Sequence, residues 1–459
     1  MKTMKKLVTG AAFAAIAAGW SGAAVAQETL TVWFTKGFYK AEDDALLSMI
    51  DKFQKQTGVK VELSLYSTED CITKSVGSVE AGTPPDVGYC TTYDFRTTGK
   101  WAFEGKLEDL SDTVNAMKAE FVPDALATTL LLNGKTNTKA YYAMPVQRQT
   151  IHINYWRDML TDAGFKESDI PTDWAGYWGF WCDKVQPALR AQGKRVFAIG
   201  HPLGVAASDT FYSFLMVASA YNAQIVDESG KIVLDQPKNK AAMTEALKFY
   251  TSILAKNCTP PSSVNWLDPD NNVAFHGKQT VMTHNATISI AAKWLDDMNN
   301  QSLTAEQRAQ AKTNYEEQIA TTKWPNKPDG SVIPNLAATK TAVVFADAKN
   351  KKRGKEFMAF MMKDENLRPF IEGSLGRWYP TTIAATKSPF WSSGDKHRAV
   401  VHRQFSEGTV PFQFVYNYKF TAVNAENVWA KSMQRVIQDK ITPEAAVEEM
   451  IARVKQIAG

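Results

Sequence analysis

Between residues 29 and 90, strand-like and helix-like stretches alternate, and this alternation limits the fold more tightly than any other feature of the chain. Thr29 to Phe34 (TLTVWF) reads as a buried strand. Leu46, Met49, Ile50 and Phe53 then follow the i, i+3, i+4, i+7 spacing of one apolar helix face. Glu42, Asp43 and Asp44 fall in the first turn, where the helix dipole favours negative charge, and Gly58 offers a left-handed stop. Val59 to Tyr66 predicts a second strand, Cys71 to Glu80 a second helix and Asp86 to Cys90 a third strand. Parallel strands need crossover connections, so this order predicts an α/β fold with a parallel sheet covered by helices.

Downstream, Asp235 is expected to cap a long helix carrying Met243, Ala246, Leu247, Tyr250, Ile253 and Leu254 on one face. The chain closes on another, with Thr442 as N-cap, Pro443 at the first helical position and Val447, Met450, Ile451 and Val454 as its buried stripe. The run Lys349–Lys355 opens a helix and reads as a solvated face, and Asn326 to Pro334 reads as a loop. The chain shows no repeat, low-complexity tract or long linker. Its 459 residues suggest about two to four domains or large lobes.

The first residues point to export. Lys2, Lys5 and Lys6 precede an apolar run from Leu7 to Trp20, and Ala24-Val25-Ala26 follows. A positive start, an apolar middle and an A-x-A site predict a signal peptide over 1–26, cleaved after Ala26. The apolar run is short for a membrane span. No cysteine lies near the cleavage point, so no lipid anchor is expected. Loss of three lysines takes the net charge from +4 to +1. Such a balance lacks the basic excess of a nucleic-acid binder, and 44% hydrophobic residues exclude a disordered chain. The mature protein is expected in a bacterial periplasm.

One-line enzyme signatures are missing: there is no HExxH, Walker loop, GxSxG or GxGxxG. His397 and His402 stand five apart, which separates them on a helix, and the cysteine spacings do not resemble a zinc site. No catalytic residue, cofactor or metal is therefore expected. A glycosidase needs two carboxylates across a cleft, which spacing neither shows nor excludes. Aromatic residues are abundant, in clusters at Trp174/Tyr177/Trp178/Trp181, Trp378/Tyr379 and Tyr416/Tyr418. An aromatic face packs well on the C–H face of a pyranose; the alternative for each cluster is core packing.

Taken together, several segments resemble the carbohydrate-type solute-binding proteins that serve ABC importers (extracellular solute-binding family 1, maltose type). Ala81 to Tyr89 (AGTPPDVGY) looks like the family's small-G-x-PPD turn into the third strand. Tyr142 to Gly164 resembles its hinge-crossing strand and following helix, and Pro171-Thr172-Asp173-Trp174 is similar to the P-x-T-W helix start. Phe275 to Ala286 (FHGKQTVMTHNA) looks like the F-x-x-G-K-x-A-M crossing strand, with Val281 in place of Ala. Leu375 to Pro380 (LGRWYP) resembles the late G-x-x-P cleft loop.

The resemblance implies a two-lobed periplasmic-binding-protein fold with hinge crossings and an interlobe ligand cleft. Lobe one is expected at 27–147 plus 284–338, and a helix-rich lobe two at 148–283 plus 339–459. Closure of the lobes on one ligand, and recognition of the closed form by a permease, is the implied mechanism. Strand C-termini and crossings then supply the contacts. Trp33, Phe34 and Lys36 follow the first strand, and Tyr89, Thr91 and Tyr93 follow the third. Gln147 and Arg148 come from the first crossing, and Asn285 and Thr287 from the second. Asp209, Trp266, Lys340, Arg377, Trp378 and Tyr379 complete the set.

Arg148 departs from the family pattern. It is suited to a hydroxyl pair or an acidic sugar, or else to a salt bridge with Asp70 or Asp94. Lys340 stands where the family favours glycine. Each proposed lobe holds one pair of cysteines, Cys71 with Cys90 and Cys182 with Cys258, which favours those disulfides over four buried thiols. The expected function is a periplasmic, monomeric, non-enzymatic subunit that delivers a sugar or sugar derivative to permease subunits. Alternatives are an acidic ligand (a sugar acid or glycerol phosphate), a secreted carbohydrate-active hydrolase, or a partner that presents ligand to a sensor.

Overall fold

The structure, a computed structural model, describes residues 27–459, so the expected signal peptide lies outside the described residues. Lobe one begins as the periodicity predicts: β1 (Thr29–Thr35), α1 (Lys40–Thr57), β2 (Lys60–Tyr66), α2 (Thr68–Glu80) and β3 (Val87–Tyr89), followed by a short α3 (Tyr93–Arg96). Leu46, Met49, Ile50 and Phe53 form the buried stripe of α1, and Gly58 ends it with φ +71°. A hairpin of β4 (Leu130–Asn133) and β5 (Thr138–Tyr141) leads into β6 (Met144–Thr150), which runs almost directly into β7 (His152–Trp156). Then come β8 (Phe197–Gly200), β9 (Thr280–Asn285), β10 (Ile319–Thr322), β11 (Leu336–Val344), β12 (Tyr379–Pro380) and β13 (Val410–Pro411).

Two main sheets result. The first is ordered β12-β6-β11-β3-β1-β2, with β13 beside β11, and the second is β10-β7-β9-β8. β1 is parallel to both β2 and β3, while β11 is antiparallel to β3 and β6. Each sheet has its own buried core, one around Phe34, Phe53 and Phe357, the other around Trp156, Trp181 and Phe214. The aromatic cluster Trp174/Tyr177/Trp178/Trp181 lies in that second core.

The chain crosses between lobes at 150–152, again between β10 and β11, and again near β13. This corrects the expected division. β9 is a central strand of the second sheet, and the segment after it stays with that lobe: Ile290, Ile319 and Trp324 pack in the second core. β11 joins the first sheet, and helices Lys351–Met362 and Asp364–Gly373 cover the first core. Residues 284–338 therefore belong mainly to lobe two, and 339 to about 406 to lobe one. The reason is physical: an apolar run such as Ala342-Val343-Val344 fits the centre of either sheet, and its partner is fixed only by long-range pairing.

Smaller differences occur at helix ends. The long helix runs Pro237–Ala255 with Gln236 at its N-cap, and Asp235 pairs with Lys455 instead. The terminal helix Pro443–Ala458 is capped by Thr442, whose hydroxyl accepts from the Ala445 N–H. Cys71 is bonded to Cys90 and Cys182 to Cys258, one bridge in each lobe.

Candidate functional site

The lobes meet along the C-terminal ends of β1 and β3 on one side and the start of helix Ser208–Ala220 on the other. Between them lies a narrow cavity of about 30 Å³. Its first-lobe wall comprises Phe38, Thr68, Thr91, Gln149, Arg377 and Trp378; Lys340 enters from the hinge; and Ser208, Asp209, Tyr212, Asp268, Asn285 and Thr287 form the second-lobe wall. A smaller chamber behind it shares Thr91, Arg377 and Trp378 and is closed by Phe34, Tyr89 and Gln147. A wider mouth, continuous through Phe38 and Thr68, opens past Lys36 and Lys293. The Cys71–Cys90 bridge ties α2 to the end of β3 and so fixes Thr68 and Thr91 at the rim.

Three polar groups set the electrostatics. Glu42, in the first turn of α1, accepts from Arg377 Nη1 at 2.6 Å and from Trp378 Nε1 at 2.7 Å. The guanidinium lies 3.8 Å from the Phe38 ring and 4.7 Å from that of Trp378. Burial is the largest single influence and disfavours its charge, but Glu42, Tyr39 and Tyr89 together hold the Arg377 pKa above its ordinary value. At the hinge, Lys340 Nζ donates to Tyr212 Oη at 2.5 Å and to both Asp94 oxygens at 3.3 and 3.4 Å. Burial raises the Asp94 pKa and lowers that of Lys340, and each charge partly restores the other. This cluster joins lobe one (Asp94), hinge (Lys340) and lobe two (Tyr212).

The third group is acidic. Asp268 accepts from the Ser208 hydroxyl at 2.8 Å and the Asp209 N–H at 3.3 Å. Asp209 accepts from Asn271 at 3.0 Å, and burial followed by the Asp268 charge pushes its pKa up. No group of three or more His, Cys, Asp or Glu suited to a metal ion occurs among the described residues.

Of the residues expected from sequence, the structure brings Phe34, Lys36, Tyr89, Thr91, Gln147, Asp209, Asn285, Thr287, Lys340, Arg377 and Trp378 to these cavities. Five lie elsewhere. The Arg148 guanidinium binds Asp124 and Thr409 and covers the Phe405 ring at 4.5 Å. Its neighbours Gln147 and Gln149 take the cleft face, and strand alternation turns Arg148 to the other. Asp124, not Asp70 or Asp94, is its ion-pair partner. Tyr379 pairs with Arg148 across β12 and β6, so it shares that outer face, with its hydroxyl on His402. Trp33 alternates away from Phe34 and packs edge-on against Tyr66. Tyr93 turns into the first core, its hydroxyl 2.5 Å from Ser75 Oγ. Trp266 donates its indole N–H to the Ser262 hydroxyl, and its backbone lies against Gly204.

Glu42, Phe38, Thr68, Gln149, Ser208, Tyr212 and Asp268 were not legible as site residues. Gln149 had a signal, since it lies two residues from Gln147 on a strand and so shares its face. Glu42 read only as a helix-dipole acid, and Asp268 and Tyr212 reach the cleft through tertiary contacts.

A profile of the bacterial extracellular solute-binding proteins matches residues 48–399, well over half of the chain. The chain belongs to that family. No curated protein sequence matches this solute-binding protein. Among solved structures it is similar to a Thermotoga lettingae ABC transporter solute-binding protein bound with α-D-tagatose. That match has 18% identity and TM-score 0.76, covering 94% of this chain and 100% of the other. It also resembles maltose-bound MalE3 of T. maritima, at 18% identity and TM-score 0.70 over 93% and 99% of the two chains. UgpB from Mycobacterium tuberculosis, in complex with glycerophosphocholine, matches at 16% identity and TM-score 0.69 over 94% and 98%. At these identities the likeness concerns the fold, and this solute-binding protein has the two-lobed α/β architecture with its cleft at the lobe junction.

Proposed function

We propose that this protein is the periplasmic substrate-binding subunit of an ABC importer and that it captures a neutral sugar or polyol by closure of its lobes. The observation that carries the ligand class is charge pairing. Arg377 is held by Glu42 and Lys340 by Asp94, while Arg148, the third cation expected to face the ligand, points away. Buried cations already neutralised within the wall do not call for an anionic ligand. What remains facing the space is an aromatic ring, Trp378, the carboxyls of Asp209 and Asp268, which disfavour an anion, and uncharged hydrogen-bonding groups such as Gln149, Thr91 and Thr287. Such a mixture of apolar face and directional polar groups suits a polyhydroxylated compound.

Solved relatives in fold bound with α-D-tagatose and with D-mannitol support the same reading. The protein acts as a monomer after export and cleavage behind Ala26, and hands its ligand to permease subunits without chemical change.

A thermal-melt screen against neutral sugars, polyols, sugar acids and sugar phosphates tests this. A ligand at about 100 times its Kd adds about 2.7 kcal/mol of stability and raises Tm measurably. Shifts with neutral compounds are expected. Shifts confined to acidic compounds would overturn the neutral-ligand reading, and product formation from a glycoside would overturn the non-enzymatic one.

A further inference from the structure

The cleft wall on the lobe-one side holds three hydrogen-bond donors with no acceptor: Gln147 Nε2, Gln149 Nε2 and Arg377 Nε. Gln147 and Gln149 are 1% and 5% exposed and Arg377 6%, so water does not serve them from the outer surface. Partners fix the orientation of two of them. Tyr89 donates its hydroxyl to Gln147 Oε1, which leaves the amide nitrogen as the free end, and Glu42 takes Arg377 Nη1, which leaves Nε.

A buried donor left unpaired destabilises the fold, and native proteins hold few of them without a reason. Other buried donors lack a partner too, such as Arg148 Nε and Trp181 Nε1; these three are set apart by facing one connected space. Two stand on one face of β6 by the two-residue period, and the third sits in the loop that leads into β12, which itself pairs with β6. Gln147 lines the inner chamber, Gln149 the main cavity and Arg377 both, so the donors run as a row along the space.

The opposite wall is an acceptor. Asp268 accepts from the Ser208 N–H and hydroxyl and from the Asp209 N–H, which leaves about one of its four lone-pair sites, on Oδ2, for a donor in the cavity. A hydroxyl can accept from one side and donate to the other. A protonated amine or a methylene at that edge leaves the row unpaired.

We propose that Gln147, Gln149 and Arg377 form a donor row that reads neighbouring hydroxyl oxygens along one edge of the ligand, with Gln149 setting selectivity against analogues deoxygenated there. This rests on the neutral-polyhydroxy reading above and deepens it.

Gln149→Met tests the row, because methionine keeps the side-chain length and removes the amide. Gln147 is the less clean choice, since its loss also strands the Tyr89 hydroxyl. The probes are D-tagatose, D-mannitol, ribitol and maltose, followed by the monodeoxy derivatives of whichever binds the wild-type protein. For the best binder, Gln149→Met is expected to weaken affinity at least tenfold while the ligand-free Tm stays equal to or above that of wild type. One monodeoxy derivative is expected to lose at least tenfold on wild type and much less on the variant, since the same hydrogen bond is then removed twice.

A ligand-free Tm that falls in step with affinity would make Gln149 structural and overturn the proposal. Unchanged affinity, or equal discrimination by variant and wild type, would overturn it while leaving the sugar-binding reading in place. Silence of wild type toward every probe would overturn that reading and the donor row with it.

Discussion

Arg148 and Trp378 show how far apart two similar-looking candidates end. Arg148 is anchored by Asp124, Thr409 and the Phe405 face on the side of the hinge away from the cleft. Arg148→Ala is therefore expected to cost about 1–3 kcal/mol of stability, by loss of a buried charge and its stacking, with ligand affinity changed less than about threefold. Denaturant unfolding and calorimetric titration of the variant separate the two; lost affinity at unchanged stability would return Arg148 to the cleft. Trp378, by contrast, lines both inner cavities and holds Glu42. Trp378→Ala is expected to weaken binding more than about tenfold, in line with a buried aromatic anchor, and retained affinity would remove it from the contact set. At this scale the sequence showed which residue types to look for. It did not show their direction: adjacent residues were expected together in the cleft, Gln147 with Arg148 and Trp33 with Phe34, although the two-residue strand period turns one of each pair away, and a loop residue such as Trp266 has no period to follow.

Elements were legible wherever one face is apolar, as the stripe of α1 and the capped terminal helix show. What caps an element across the molecule was not. The N-cap residue of α1, Tyr39, makes no side-chain cap, and the Ala41 N–H donates instead to Asp296 Oδ1 of helix Ser289–Asn299, at 3.2 Å across the cleft mouth. A carboxylate at a helix N-terminus is worth about 0.5–2 kcal/mol. This one acts only while the lobes are together. Asp296→Ala is accordingly expected to lower ligand affinity by up to about tenfold, mainly through faster release, without any ligand contact. Stopped-flow dissociation checks this, and unchanged release would show that the bond does not contribute to closure. The two disulfides span 19 and 76 residues, for which loop-closure entropy gives about 3 and 4.5 kcal/mol. Reduction is expected to lower Tm clearly in a melt with and without dithiothreitol, and equal melts would contradict that.

For the whole molecule, the alternation of strands and helices gave the fold class, but the division into lobes was not legible. β9 and β11 are both buried strands of similar character, and each joins the sheet whose long-range partners the chain brings to it. The assembled lobes also bury histidines. Burial pushes His152, His276 and His397 down to about 4 and His284 to about 3. These groups are neutral when folded and protonate near pH 6.5 when unfolded, so the unfolded state takes up more protons between about pH 6.5 and 4. Stability present above pH 6.5 is lost as pH falls, by about 1.4 kcal/mol per histidine at pH 5.5. Asp209 and Asp94, whose pKa values are raised, work in the opposite direction and offset part of it. A net loss of a few kcal/mol from pH 7.5 to 5.5 is expected in denaturant titrations, and a gain would contradict the neutral buried histidines. The central claim, capture of one neutral polyhydroxylated ligand between the lobes, is tested most directly by isothermal titration of the exported protein with the best neutral sugar or polyol and with its carboxylate and phosphate derivatives. One site per chain, with the neutral compound binding at least tenfold more tightly than either derivative, is the predicted result; tighter binding of a charged derivative would contradict the account.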